Sequence, residues 1–314
     1  MELICNSTQF QLEKPSAVAI GKFDGMHLGH QFLLRKLSDT AKELTKVVFT
    51  FDPSPAVFFS GEALPSLFTR EEKREVFRTM GIDVLIEFPL NKETASTPPE
   101  AFLKEILHER LRAKRIVAGE DLSFGRHGAG DFTLLNLLAK TYGYETELVE
   151  KIRYRGEEIS SSRIREAVLS SRMEEAAAML GTPYRLEGSV IHGRHLGHTL
   201  GFPTINLRPP ADKLLPPFGV YRSLVHVEEN TYRALTNIGV KPTVGAGEKA
   251  GAESYLYDYE GDLYGKRAVV ELISFLRPEQ RFASLDALKA QLQSDIARGR
   301  QDFSFTMQEN HDRI

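Results

Sequence analysis

Residues 17–30 read AVAIGKFDGMHLGH, and the change of pattern inside that stretch decides the fold of the first half of the chain. The apolar run Ala17 to Ile20 has the length and composition of a buried strand. Gly21, Asp24, Gly25 and Gly29 then crowd into a tight loop, and from Gln31 to Leu44 apolar residues recur at helical spacing. Strand end, loop and helix start therefore coincide. A helix N-terminus offers unpaired backbone N–H groups and a partial positive charge, and glycine lets phosphate oxygens approach the main chain closely. His27 and His30 stand three residues apart at that terminus, so one pocket can receive both imidazoles. In isolation the same residues make an ordinary strand-to-helix turn equally well.

The pattern continues outward from this segment. Val47 to Phe51, Val84 to Ile86 and Ile116 to Ala118 are further short apolar runs, and Pro99 to Leu111 is helix-like. Strands alternating with helices predict a parallel α/β sheet. From about Tyr184 the texture changes to successive strand-like runs: Leu186 to Ile191, Val220 to Val227, Tyr232 to Ile238, Ser254 to Tyr259 and Ala268 to Phe275. Turn residues separate them, which predicts a barrel or sandwich. Arg163 to Leu180 reads as a connecting helix, ended by Gly181 and Pro183. The expected domains are thus residues 1–183 and 184–314. Ser284 is placed to cap a last helix whose Leu285, Leu288, Leu292 and Ile296 form one apolar stripe. No internal repeat appears, and the residues after Arg300 carry no pattern that predicts structure.

Bulk composition limits the functions open to such a chain. At 314 residues it exceeds what one hydrophobic core usually serves, and a 41% hydrophobic share can fill two. With 43 acidic against 40 basic residues the formal charge is −3, giving no broad basic field for nucleic acid or an anionic membrane. The expected partners are small molecules. Cys5 is the sole cysteine, which rules out an internal disulfide and a cysteine-built metal site. The N-terminus lacks a basic start with a long apolar run, and no later window nears the roughly 20 apolar residues of a membrane span. A cytoplasmic location is expected. Oligomeric state is not encoded in any of these features.

Two further segments of the first half suit phosphate chemistry. Ile159 to Arg165, ISSSRIR, brings hydroxyls and arginines to a helix start, although a stretch of this kind is by itself most often a cap. Gly119 to Asp131, GEDLSFGRHGAGD, follows an apolar run and by composition is a glycine-rich surface loop. Taken in order, GKFDGMHLGH, FDPSP at Phe51 to Pro55, GEDLSFG and ISSSRIR resemble the nucleotidyltransferase half of the bacterial bifunctional FAD synthetases, also called riboflavin kinase/FMN adenylyltransferases. That family carries G-x-F-D-G-x-H-x-G-H, F-D-P, G-x-D-x-x-F-G and I-S-S-x-x-I-R in the same sequence. The resemblance implies an α/β Rossmann-like nucleotidyltransferase domain. In it Gly21, Phe23, Asp24, Gly25, Gly29, Ser161, Ser162 and Arg165 bind ATP, His27 and His30 are catalytic, and Asp52, Asp121 and Phe124 hold the flavin. Ser54 departs from the histidine or asparagine of many relatives.

In the second half, Gly193 to Leu207 reads GRHLGHTLGFPTINL, which is neither a Walker A loop nor a dinucleotide fingerprint; spacing alone makes it a turn-rich strand connection. Phosphorylating an alcohol needs a loop over the phosphates, oxygen ligands for Mg²⁺ and a base to orient the hydroxyl. Thr204 and Asn206 could supply such ligands from one strand face. Glu253 is a candidate base, though a lone strand carboxylate is usually just solvated. Here too the segments resemble the family, whose kinase half carries G-F-P-T-A-N, G-V-Y, N-I-G-x-x-P-T, a glutamate and G-D-L-Y-G. The chain has GFPTIN at Gly201 to Asn206, GVY at Gly219 to Tyr221, NIGVKPT at Asn237 to Thr243, Glu253, and GDLYG at Gly261 to Gly265. The resemblance implies a six-stranded antiparallel riboflavin kinase barrel with a C-terminal helix. It gives ATP contacts to Gly193, Gly197, His198, Gly201 and Pro203, Mg²⁺ ligation to Thr204 and Asn206, and the role of catalytic base to Glu253. His198 stands where arginine is common, and Ile205 replaces the usual alanine; strand alternation should turn Ile205 away from the metal ligands.

The implied activity is conversion of riboflavin to FMN with ATP, then of FMN and ATP to FAD and pyrophosphate. A nucleotidyltransferase for another substrate is a rival reading of the first half, which the barrel motifs oppose. From a different class, a flavin-binding sensor or storage protein with weak turnover is the alternative, prompted by His198 and Ser54.

Overall fold

The computed structural model describes residues 1–41, 43–62, 64–191, 202, 204–242, 248–259 and 261–300. The chain divides into two compact units, Met1–Ser160 and Ser161–Ile314.

The first unit is built on a six-stranded parallel sheet. Its strands are β1 (Glu2–Cys5), β2 (Ser16–Ile20), β3 (Thr45–Asp52), β4 (Val84–Pro89), β5 (Ala113–Gly119) and β6 (Glu145–Val149), in the spatial order β1-β4-β3-β2-β5-β6. Every residue of β2 is buried because helices cover both faces of the sheet. Val18 and Ile20 face a cluster completed by Phe49, Phe102 and Leu103. Ala17 and Ala19, one residue out of phase, face the cluster of Leu33, Leu34, Leu37 and Phe77. That second layer comprises α1 (Leu28–Thr40) and α3 (Arg70–Thr79), with the short α2 (Pro55–Ser60) before α3. Pro99 to Leu111, expected as a helix, starts as α4 (Pro99–Ala101) and continues as a π-helical stretch, Phe102–Arg110. The helices α5 (Phe132–Leu137) and α6 (Ala139–Tyr142) lead into β6, and the hairpin β7 (Arg153–Tyr154) and β8 (Glu157–Glu158) ends the unit.

The direction of winding reverses at β2. From there the chain adds β3 and β4 on one side, then crosses to place β5 and β6 on the other. In an open parallel sheet, such a reversal leaves a crevice beyond the carboxyl ends of the two central strands, here β2 and β5. The loops starting at Gly21 and Glu120 border that crevice.

The second unit opens with α7 (Ser161–Leu169) and α8 (Met173–Leu180). The single helix expected over Arg163 to Leu180 is broken at Ser171, whose φ of 56° lies in the left-handed region and cannot continue a right-handed helix. Next comes a closed barrel of six strands: β9 (Tyr184–Ile191), β10 (Thr204–Leu207), β11 (Gly219–Val227), β12 (Asn230–Pro242), β13 (Glu248–Leu256) and β14 (Arg267–Pro278). All neighbours pair antiparallel, in the order β10-β13-β12-β11-β14-β9. Inside it, Ser223, Thr236 and Ser254 share a chain of hydroxyl hydrogen bonds at 2.7 Å, which satisfies polar groups that are otherwise costly to bury.

The last helix, α9 (Leu285–Arg300), is capped as expected, with the Ala287 N–H donating to Ser284 Oγ at 3.2 Å. Gly299 lets this helix lie close on the barrel, since an added Cβ would fall 2.8 Å from Leu235 Cδ2. Of the expected apolar stripe, Leu288, Leu292 and Ile296 turn inward. Leu285 does not: it sits in the first turn, 61% exposed.

Candidate functional sites

In the first unit, loop 21–27 carries Phe23 and Met26 in left-handed backbone conformations, φ 48° and 41°. Each costs about 1–2 kcal/mol for a non-glycine residue. Phe23 is 0% and Met26 1% exposed, and burying such side chains contributes about 1.5–3 kcal/mol each. The two terms offset each other, so core packing can hold the strained loop in shape. Gly25 takes φ 89° between them.

His27 caps α1: its Nδ1 accepts from the His30 N–H at 3.4 Å. That hydrogen bond leaves the ring proton on Nε2, free to donate elsewhere. The His27 and His30 rings stack with centroids 3.8 Å apart, and His30 also leans on Phe23 at 5.2 Å. Burial lowers the His27 pKa to about 4, against the opposing pull of Asp121 and Asp24. His30 is driven well below its ordinary value by burial, the neighbouring His27 and the charge of Lys73. Its buried Nδ1 has no hydrogen-bond partner among the described residues. At neutral pH the pair is uncharged, poised to donate hydrogen bonds to an anion.

The structure thus brings Phe23, Asp24, His27, Gly29, His30 and Asp121 to one end of the sheet, at the crevice between β2 and β5. Asp52 ends β3 at the same edge and is held by Arg70 at 2.5 Å. The Ser54 hydroxyl accepts from the Val57 N–H at 3.4 Å as the cap of α2. Phe124 is 2% exposed and packs against Phe102 in the core, supporting its loop from beneath. Ser161 and Ser162 open α7 in the second unit, with Arg165 one turn on.

In the second unit, register explains the other candidates. Asn206 pairs with Glu253 across β10 and β13, and Glu253 pairs with Asn237 across β13 and β12. The Thr204 hydroxyl donates to Glu253 Oε1 at 2.7 Å. Ile205, 9% exposed, pairs with the interior Ser254 and so faces the barrel core, away from Thr204. The site therefore lies on the outer wall of the barrel. Beside it is a pocket of about 230 Å³ whose lining includes Thr204, Asn237, Glu253, Tyr255, Leu288 and Leu292. Gly193, Gly197, His198, Gly201 and Pro203 lie outside the described residues.

Sequence reasoning missed several residues lining this pocket. Asn237 was within a quoted motif but received no role; its amide donates to Glu279 Oε1 at 3.3 Å. Arg277 and Asp295 join β14 to α9 through paired hydrogen bonds, the shortest 2.6 Å, and Gln291 also donates to Asp295 at 2.8 Å. The recurrence of apolar residues in α9 was visible, but an ion pair between distant segments leaves no local signal.

Thr204 Oγ1, the Asn206 side-chain oxygen and the Glu253 carboxylate form an all-oxygen set, the kind a hard divalent cation prefers. No group of three His, Cys, Asp or Glu residues able to hold a metal occurs among the described residues, so a cation here would need substrate oxygens to complete its shell.

Comparison with known proteins finds relatives along both units. The FAD synthetase family model matches residues 9–163 and the riboflavin kinase family model residues 180–303. A bifunctional riboflavin kinase/FMN adenylyltransferase of Pseudomonas fluorescens is 34% identical, over 96% of this chain and 97% of that one. Its counterpart in Escherichia coli K12 is 35% identical, over 92% and 93%. Among solved structures, a macrolide-efflux protein from Streptococcus pneumoniae shares the fold, with a TM-score of 0.83 and 30% identity over 96% of this chain and 100% of that one. No helix among the described residues is long and apolar enough to cross a membrane. With relatives this similar along nearly its whole length, the chain belongs to the family of bacterial bifunctional riboflavin kinases/FMN adenylyltransferases.

Proposed function

We propose that this chain phosphorylates riboflavin to FMN with ATP and then transfers the adenylyl group of a second ATP to FMN, giving FAD and pyrophosphate. The observation that carries the reading is the presence of two chemically distinct sites in one chain: stacked, uncharged imidazoles at a sheet switch point, and Glu253 beside an apolar pocket. We assign adenylyl transfer to residues 1–183 and phosphorylation to residues 184–314. A cytosolic enzyme is the natural setting for this use of ATP.

For phosphorylation, Glu253 acts as the base for the terminal ribityl hydroxyl of riboflavin. A carboxylate hydrogen-bonded to Thr204 is fixed in direction, and the neighbouring Leu288, Leu292 and Tyr255 suit a flat aromatic ring system. Thr204 and Asn206 would hold Mg²⁺, which when bound neutralises charge on the transferring phosphate. Gly193, Gly197, His198, Gly201 and Pro203 are assigned to the ATP of this reaction.

For adenylyl transfer, an oxygen of the FMN phosphate attacks the α-phosphorus of ATP, and the bond to the β-phosphate breaks. The chain contributes position and charge stabilisation rather than a covalent intermediate. Gly21, Phe23, Asp24, Gly25 and Gly29 shape the cradle, and His27 and His30 donate to phosphate oxygens. Ser161, Ser162 and Arg165 add contacts to ATP, while Asp52, Asp121 and Phe124 are assigned to the flavin side. The test is incubation of the purified protein with riboflavin, Mg²⁺ and ATP, and separately with FMN in place of riboflavin. Both FMN and FAD are expected. FMN without FAD would remove the first assignment, and FAD from added FMN alone would remove the second.

A further inference from the structure

The positive charge of α3 is almost entirely committed. Arg70 pairs with Asp52, Arg74 with Glu87 and Glu71, and Arg78 with Glu75. Lys73 is different. It is half-buried and forms no ion pair or side-chain hydrogen bond among the described residues.

Its position follows from topology. α3 connects the adjacent parallel strands β3 and β4, so it runs antiparallel to them and begins at the carboxyl edge of the sheet, where loop 21–27 lies. Phe77, one turn further along α3, meets Phe23 edge-on at 5.3 Å, and Phe23 in turn touches His30 at 5.2 Å. Lys73 therefore occupies the same helix face one turn nearer the crevice. The effect of its charge on His30 agrees with this placement.

An ammonium with no carboxylate partner among the described residues, near enough for its charge to act on the uncharged His30, suits an anion that arrives with the substrate. When the FMN phosphate oxygen bonds to the α-phosphorus of ATP, the electron pair of the broken bond moves onto pyrophosphate. Neutral imidazoles can donate hydrogen bonds to that group but cannot cancel its charge. A lysine on a flexible stem can follow it.

We infer that Lys73 is a further catalytic residue of the adenylyl transfer, binding the β- and γ-phosphates of ATP and stabilising the departing pyrophosphate. The inference rests on reading residues 21–30 as an ATP phosphate site. The experiment uses the full chain and Lys73→Met and Lys73→Arg variants. FAD synthesis from FMN and ATP is followed together with the reverse reaction from FAD and inorganic pyrophosphate. Lys73→Met should lower kcat/KM for FAD synthesis about 100-fold and raise the KM for pyrophosphate about tenfold. Lys73→Arg should recover most of both. FMN formation by the second unit and the thermal melting profile report whether the variants fold.

FAD synthesis by Lys73→Met within about twofold of wild type would overturn the inference while leaving the site assignment intact. So would a loss of synthesis with an unchanged KM for pyrophosphate, because that pattern marks a structural role. Failure of the wild-type chain itself to make FAD from FMN would instead remove the underlying reading of the site, and the inference with it.

Discussion

At Gly29 an added methyl group would lie 3.2 Å from Cε1 and Nδ1 of His27, closer than most real contacts, so the imidazole must shift. His27 is fixed both by its hydrogen bond to the His30 N–H and by stacking on the His30 ring. A displacement there separates the two donors proposed to act together in the adenylyl-transfer step. Gly29→Ala is therefore expected to lower the rate of FAD formation from FMN about 10- to 100-fold while FMN formation persists, as measured by separating the flavin products. The same imidazoles predict a pH dependence of stability. His27 has a folded-state pKa of about 4, against 6.5 in an unfolded chain. Between those values the unfolded state binds the extra proton, so stability is full above pH 6.5 and falls as pH drops toward 4. The loss attributable to His27 is about 3 kcal/mol, with His30 acting in the same direction. Urea unfolding of the first unit at pH 7 and pH 4.5 should show it, and His27→Asn should flatten the profile. These histidines were legible in the sequence because their chemistry sits within one short contiguous loop. Lys73 was not, since nothing local distinguishes an unpaired helix lysine from a paired one.

At the scale of elements, α9 forms a wall of the second unit's pocket, and its attachment depends on a buried ion pair. Asp295 is 4% exposed, with Arg277 Nη2 at 2.6 Å and Gln291 Nε2 at 2.8 Å. Removing one partner leaves the other charge buried and uncompensated, which costs about 3–5 kcal/mol. Asp295→Ala should lower the stability of the second unit by that amount and raise the KM for riboflavin more than it changes kcat. Denaturant unfolding and initial rates of FMN formation would check both effects. The cap and the apolar recurrence of this helix were legible in its residues, but the buried ion pair that joins it to β14 was not. Elements with weak patterns escaped notice for related reasons. β1 is a partly exposed edge strand, and β6 reads ETELV, so neither presents a continuous apolar run. The break between α7 and α8 depends on one residue, Ser171, adopting a left-handed conformation that serine does not announce.

For the whole molecule, alternation of strand and helix and the later run of strands were enough to separate the two architectures, because each has a distinct hydrophobic period. Spatial strand order was not legible, yet it is the order β1-β4-β3-β2-β5-β6 that sets loops 21–27 and 120–131 side by side. Pairing of β13 with both β10 and β12 likewise turns separate motifs into one row, Asn206, Glu253 and Asn237. The two proposed sites use different residues and are linked by a product, FMN, that is itself a diffusible small molecule. Glu253→Gln should abolish FMN formation yet still convert added FMN to FAD, and His27→Ala should make FMN but little FAD. Neither variant alone should carry riboflavin to FAD. An equimolar mixture of the two should do so, because FMN made in the barrel of one chain can reach the intact first unit of another. FAD accumulation in the mixture after a lag, with free FMN rising first, is the expected record. If the mixture makes FMN that stays bound to protein and yields no FAD, while Glu253→Gln alone converts added FMN normally, FMN must pass between the sites of a single chain without release. The independence of the two sites would then be wrong.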